Sequence, residues 1–257
     1  MKSVITYLEK HMFDYQAPAN LLKDKIILVS GAGSGIGRAA ALAYAKHGAT
    51  LILLGRNVEK LEQVYDEIEA ASGMQPAITP FDLETADDNR YQELVNSIYQ
   101  EFGRLDGLLN NASILGMLTP IQSYPLATWN KVIQTNLNAQ FALSKYCLPL
   151  LQEAADASVI FTSSSAGRHP YAYWGAYSVS KAAVEALAQV LFLELENTSK
   201  IRVNTVNPGA TATRMRKQAF PAENPEKLAQ ADEIMPVFLY LMGRDSLQEN
   251  CKQFDAQ

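Results

Sequence analysis

The feature that most constrains this chain is Ser30-Gly31-Ala32-Gly33-Ser34-Gly35-Ile36-Gly37, set directly behind the apolar run Ile26-Ile27-Leu28-Val29. Glycines at these places have distinct uses. Gly31 lets the chain turn sharply out of a strand. Gly35, without a Cβ, lets the backbone approach a pyrophosphate. Gly37 lets the following helix, expected over 38–47, pack close to the sheet. The N–H groups that open such a helix then face the phosphates. The spacing is Gly-x3-Gly-x-Gly, and no Gly-Lys-Ser/Thr of a P-loop follows. A flexible turn is the plain alternative. The position between an apolar strand and a helix favours phosphate binding.

The rest of the chain alternates two periods. Leu51 to Leu54, Leu105 to Leu109, Val159 to Phe161 and Ile201 to Val206 are apolar-rich runs like the first. Such runs suit strands buried on both faces of a parallel sheet. Between them, Tyr91, Leu94, Val95, Ile98, Tyr99 and Phe102 form one helical stripe. Strand and helix in alternation predict an α/β fold, a single-domain doubly wound parallel sheet of the Rossmann type with helices on both faces. The domain is expected over 21–257. Residues 1–20 read as an N-terminal arm closed by Pro18, or as residues upstream of the native start, with Met12 as the alternative initiator. They lack the pattern of a secretory signal.

Composition narrows the function. Of 257 residues, 48% are hydrophobic and 19% charged, which excludes a disordered chain. The net charge of −5 argues against a nucleic-acid partner. No unbroken apolar run approaches the about 20 residues that span a bilayer, so no membrane partner is expected. Two cysteines without a CxxC, Cys147 and Cys251, suit a reducing, cytoplasmic setting. His11, His47 and His169 have no metal-ligand spacing, so no metal is expected. There is no Gly-x-Ser-x-Gly hydrolase elbow.

One pair carries chemistry. Of twelve tyrosines, only Tyr177 has a lysine four residues on, Lys181. On a helix the two share a face. A free phenol has a pKa of ~10, and a neighbouring ammonium lowers it by ~1–3 units. That would tune Tyr177 as a general acid for carbonyl reduction, or as a base for alcohol oxidation. A surface helix pair is the plain alternative, and the glycine loop upstream favours catalysis. The serines Ser163, Ser164 and Ser165 follow the fourth apolar run, Val159 to Phe161. A hydroxyl there would steady the oxyanion formed on hydride arrival. Alternation along a strand places Ser164 on the opposite face from Ser163 and Ser165.

These motifs, in this order, resemble the short-chain dehydrogenase/reductase family from about Leu21 to Thr213. Asn110-Asn111-Ala112-Ser113 is similar to its Asn-Asn-Ala-Gly. Thr135-Asn136-Leu137 is similar to its active-site asparagine. Tyr177-Ser178-Val179-Ser180-Lys181 is its Tyr-x3-Lys, and Pro208-Gly209-Ala210-Thr211-Ala212-Thr213 its Pro-Gly-x3-Thr. The resemblance implies catalytic roles for Asn136, Ser164, Tyr177 and Lys181, with Ser164 preferred among the serines. Asn136 would hold a water that links Lys181 to solvent, or bond buried backbone. It implies a cofactor site formed by Gly31, Ser34, Gly35, Ile36 and Gly37, by Arg56, Asp82, Leu83 and Asn111, by Tyr177 and Lys181, and by Pro208, Gly209, Thr211 and Thr213. Asp82 would meet the adenine.

The cofactor is expected to be NADP. An NAD-binding fold places a carboxylate ~20 residues past the glycine loop to accept bonds from the ribose. Here Gly55 stands there and Arg56 follows, able to grip a 2′-phosphate. A surface arginine at a helix start is the alternative. The expected function is an NADP(H)-dependent oxidoreductase that interconverts a small carbonyl compound and its alcohol. An NAD-linked dehydrogenase and a non-catalytic NADP-binding sensor are the alternatives. Tyr171, Tyr173 and Trp174 form an aromatic wall for substrate or a packing surface. Arg214, Arg216 and Lys217 meet an acidic group or solvent. The stretch from Thr213 to a helix near Asp232 is short, which predicts an open pocket. The C-terminal strand is expected to be short or displaced. The helices after Thr135 and after Tyr177 are richer in apolar residues than one sheet face needs. The resemblance implies that they pair across a two-fold axis, giving a homo-dimer or homo-tetramer.

Overall fold

The computed structural model describes residues 12–257, so most of the expected arm, with His11, lies outside the described residues. In chain order the elements are β1 (Ile26–Ser30), α1 (Gly35–Lys46), β2 (Thr50–Gly55), α2 (Val58–Ser72), β3 (Ala77–Pro80), α3 (Asp88–Phe102), β4 (Gly107–Asn110), α4 (Leu126–Ile133), α5 (Ala139–Gln152), β5 (Ser158–Thr162), α6 (Ser165–Arg168), α7 (Gly175–Leu195), β6 (Arg202–Asn207), α8 (Arg214–Ala219), α9 (Met235–Met242) and β7 (Gln253–Asp255). The strands form one parallel sheet in the order β3-β2-β1-β4-β5-β6-β7.

The apolar runs supply two cores at once. Successive strand residues point to opposite faces. Ile27, Val29, Leu51 and Leu53 therefore enter one core with Tyr44, Leu61 and Phe238 of α1, α2 and α9. Ile26, Leu28, Ile52 and Leu54 enter the other with Leu94, Leu143 and Val184 of α3, α5 and α7. Local chemistry sets several helix ends. Asn57 caps α2 by accepting from the Lys60 N–H at 2.9 Å, and Asp87 caps α3 by accepting from Arg90 at 3.0 Å. Gly73 and Gly103 end these two helices in the left-handed region.

Helix α7 has 21 residues with a mean hydropathy of 1.2 over its most apolar stretch, long and apolar enough to cross a bilayer. Unbroken runs in the sequence understate it because polar residues interrupt them. Half of that stretch is buried in the fold, where Lys181 and Glu185 are among its buried residues. Strand β7 is indeed short, three residues parallel to β6. Residues 12–17 lie over this end. The Phe13 N–H donates to Ala256 O at 3.2 Å, Tyr15 donates to Asp245 at 2.7 Å, and both rings pack on Tyr240 of α9.

The strand order reverses between β1 and β4. Crevices at such switch points, outside the carboxyl ends of the strands, are where open α/β sheets bind ligands.

Candidate active site

The crevice begins with Ser30, whose hydroxyl donates to Leu109 O at 3.1 Å and accepts from the N–H groups of Asn111 and Ala112. These bonds tie the end of β1 to the end of β4. Gly31 (φ +70°) then turns the chain, and a Cβ on Gly37 would sit 2.3 Å from Gly31 O. Only glycine permits that approach. Helix α1 starts exposed at Ser34, with no side-chain cap and no acidic residue in its first turn. Its opening N–H groups and positive dipole end are free to receive an anion. Thr213 approaches from across the crevice, 3.5 Å from where a Cβ on Gly35 would lie.

Beside this loop, Arg56 follows β2 and its side chain is 59% exposed. It lies 3.6 Å from Glu84, which also bonds Lys131 at 2.7 Å. Asp82 accepts from the Glu84 N–H at 3.0 Å, and Leu83 is buried. These groups stand together because Gly55 of β2 pairs with Pro80 of β3.

On the other side of β4, helix α7 presents Tyr177, Lys181 and Glu185 one turn apart. Lys181 is buried and donates to Thr162 O at 2.6 Å. Its Nζ lies 5.9 Å from the centre of the Tyr177 ring. Burial pulls the ammonium down to about 8, against the opposing carboxylate of Glu185. Burial pushes the Tyr177 phenol up, while its hydrogen bond with Ser164 pulls the other way. Asn136 sits in a π-helical turn, Gln134–Asn138, between α4 and α5. It accepts from the Ile114 N–H at 2.8 Å and donates to Ile114 O and to the Ser180 hydroxyl, at 2.9 and 3.1 Å.

The turn after β6 completes the crevice. Gly209 (φ +70°) and Ser165 both donate backbone N–H groups to Asn207 Oδ1, at 3.2 and 3.0 Å. A glycine loop at a helix start, a buried lysine beneath a tyrosine and a serine bonded to that tyrosine thus share one end of the sheet. The sequence profile of the short chain dehydrogenase family matches residues 25–224.

The chain belongs to the short-chain dehydrogenase family.

Within the family it is 48% identical to the uncharacterised oxidoreductase YciK of Escherichia coli over 95% of this chain and 96% of that one. A solved short-chain dehydrogenase from Pseudomonas syringae superimposes with a TM-score of 0.95 at 51% identity, covering 96% of this chain and all of the other. A short-chain dehydrogenase from Shigella flexneri, complexed with NADP, superimposes with a TM-score of 0.91 at 48% identity over 93% of this chain and all of the other.

Several sequence expectations need correction in this dehydrogenase. Strand β5 ends at Thr162, so strand alternation does not order the three serines. Ser163 is buried without a hydroxyl partner, Ser164 caps α6 by accepting from Ala166 at 3.2 Å, and Ser165 begins that helix. The phenol of Tyr177 is raised rather than lowered, because burial outweighs its neighbours. The stretch after Thr213 is not an open rim. It holds α8, from which Met215 and Ala219 pack against the cluster of Leu115, Ala166 and Tyr177. Trp174 lies 5.7 Å from both the Tyr177 and Phe220 rings, while Tyr173 stands exposed. Arg216 is bonded twice to Glu223, which neutralises the centre of the basic cluster. His169 is exposed. Sequence reasoning missed Thr162, Ser180, Glu185 and Asn207. Glu185 had a signal, its position four residues past Lys181, whereas Thr162 acts through a carbonyl that every residue has.

Proposed function

We propose that this dehydrogenase moves hydride between NADP(H) and a small carbonyl compound or its alcohol, with Tyr177 as general acid and base. The observation that carries the reading is Tyr177 with buried Lys181 5.9 Å from its ring centre, at the strand end that also holds the glycine loop. The crevice fits such a cofactor. Its glycine loop has no room for a Cβ at Gly37, the α1 N-terminus is uncapped, and the exposed cation Arg56 follows β2, which supports its reading as the partner of a 2′-phosphate.

When bound, NADPH supplies the hydride for the carbonyl carbon. In reduction, the Ser164 hydroxyl donates to the substrate oxygen and stabilises the charge that grows there. Tyr177 gives its proton to that oxygen, which leaves the alcohol and a phenolate. A phenol raised by burial is protonated at neutral pH and ready to donate. Lys181, with its affinity lowered to about 8, is poised to return the proton. Asn136 holds the Ile114 backbone beside this relay and anchors Ser180, whose hydroxyl donates to Tyr177 O at 2.8 Å. The apolar cover of Trp174, Met215 and Ala219 favours an uncharged substrate.

We further propose a cytoplasmic homo-oligomer without a nucleic-acid or membrane partner. Helix α7 exposes Val179, Ala182, Ala186, Val190 and Leu193 along one stripe, and α5 exposes Phe141.

Tyr177→Phe keeps the ring and removes the proton. Carbonyl reduction should fall by ~10²-fold or more, with NADPH affinity within a factor of about two by fluorescence titration. Near-normal turnover in this variant rules out the assignment.

A further inference from the structure

The turn Pro208–Thr211 lies between β6 and α8, and part of its shape is set from a distant stretch of chain. Gln257 donates from Nε2 to Pro208 O at 2.6 Å and lies 3.3 Å from Thr211 Oγ1. The Thr211 hydroxyl donates to the same Pro208 oxygen at 3.0 Å. The amide also lies flat against Gly209, where a Cβ would come within 2.8 Å of Gln257 Nε2. Gly209 is therefore bare partly because Gln257 occupies that space.

The platform under Gln257 is fixed. The Ala256 N–H donates to Asn207 O at 3.0 Å, and Ala256 O accepts from Phe13 at 3.2 Å. Asp255 accepts from Asn207 Nδ2 and from Arg168, both at 2.8 Å. Arg168 in turn bonds Glu185, one helical turn past Lys181. With the backbone of the preceding Ala256 held by both its N–H and its C=O, the Gln257 side chain acts as a donor aimed at the turn. Its orientation follows from charge. Reversing the amide would set two carbonyl oxygens 2.6 Å apart, so Nε2 faces Pro208 O although Oε1 is then buried without a partner.

We propose that Gln257 is a positioning residue for the cofactor, holding the Pro208–Thr211 turn in the conformation that receives NADP(H). This rests on the reading that the turn borders the cofactor. A merely space-filling residue would need only shape, whereas a clamp needs a hydrogen to donate.

Gln257→Glu separates the two. Its carboxylate at pH 8 fits the space, cannot donate and repels Pro208 O. Protonated at pH 5 in this acceptor-rich setting, it donates again. Three readouts apply to the wild type, Gln257→Glu and Gln257→Ala: melting temperature, hydrogen exchange of residues 208–213 without cofactor, and calorimetric NADP+ affinity at pH 8 and pH 5. Both variants should fold, exchange faster at 208–213 and bind NADP+ about tenfold more weakly at pH 8, the loss expected for one buried bond. At pH 5 the Glu variant should recover to within about threefold of the wild type, while the Ala variant should not. Unchanged exchange and affinity in folded Gln257→Glu overturn the proposal. So does faster exchange with wild-type affinity, which leaves NADP binding itself intact. A wild type that fails to bind NADP+ overturns the cofactor reading and this proposal with it.

Discussion

Lys181 keeps its charge where water does not reach, and two contacts make that bearable. Thr162 O accepts from the ammonium, and Glu185 supplies an opposing charge one turn away. The cost shows as an affinity for the proton reduced to about 8. A lysine poised near neutrality exchanges protons readily, and an exposed one at its usual value does not. Arg56 is the opposite case, an exposed cation with a loose partner. Its worth to a ligand is reduced by solvent and by the bond it must leave at Glu84. Arg56→Ala should therefore weaken NADPH by about 1.5 kcal/mol, or about tenfold. NADH affinity should stay nearly unchanged. Titration of both cofactors against wild type and variant checks this, and equal wild-type affinities for the two would end the 2′-phosphate reading.

Helix α1 and strand β1 show how close two elements must come for an anion to be held by backbone alone. The contact between Gly37 and Gly31 O leaves no room for even a methyl group. Gly37→Ala should push α1 from the sheet, destabilise the fold by about 2–3 kcal/mol, and reduce NADPH binding more than ten-fold. Chemical denaturation and titration measure the two effects separately. Stability and binding both at wild-type level would mean that the loop yields at no cost. The long elements were legible in the sequence because their signal is local. Strands β1, β2 and β5 are buried on both faces and so read as apolar runs, and Tyr177 and Lys181 are neighbours on one helix. Helix α8 was missed because it has six residues and its apolar members, Met215 and Ala219, are too few to show a period. The Gln257 clamp was illegible for another reason. Its partner Pro208 lies 49 positions away, and only the pairing of β7 with β6 brings them together.

At the scale of the whole molecule, the apolar stripe of α7 is the surface left to explain. Of the apolar residues on α5 and α7, Leu143, Leu150, Leu151 and Leu191 are spent in the sheet-facing core. Val179, Ala182, Ala186, Val190 and Leu193 remain outside. Closed two-fold pairing would bury that stripe against its own copy. Light scattering should find at least a dimer at micromolar concentration, and Val190→Glu should shift it toward monomer without unfolding it. A monomeric wild type counts against the pairing. The sheet order has a consequence of another kind, in time. Numbers rise outward from β1 in both directions, so an interior strand, β1, is the first to leave the ribosome. It finds β2 at once, but its other edge waits for Gly107–Asn110. At ordinary rates of synthesis that wait is roughly 4 to 16 seconds. Through it, the nascent chain shows an open edge of Ile, Leu and Val, the surface on which stray strands pair. A strand buried on both sides in the finished enzyme is thus one that a growing chain must shield for long.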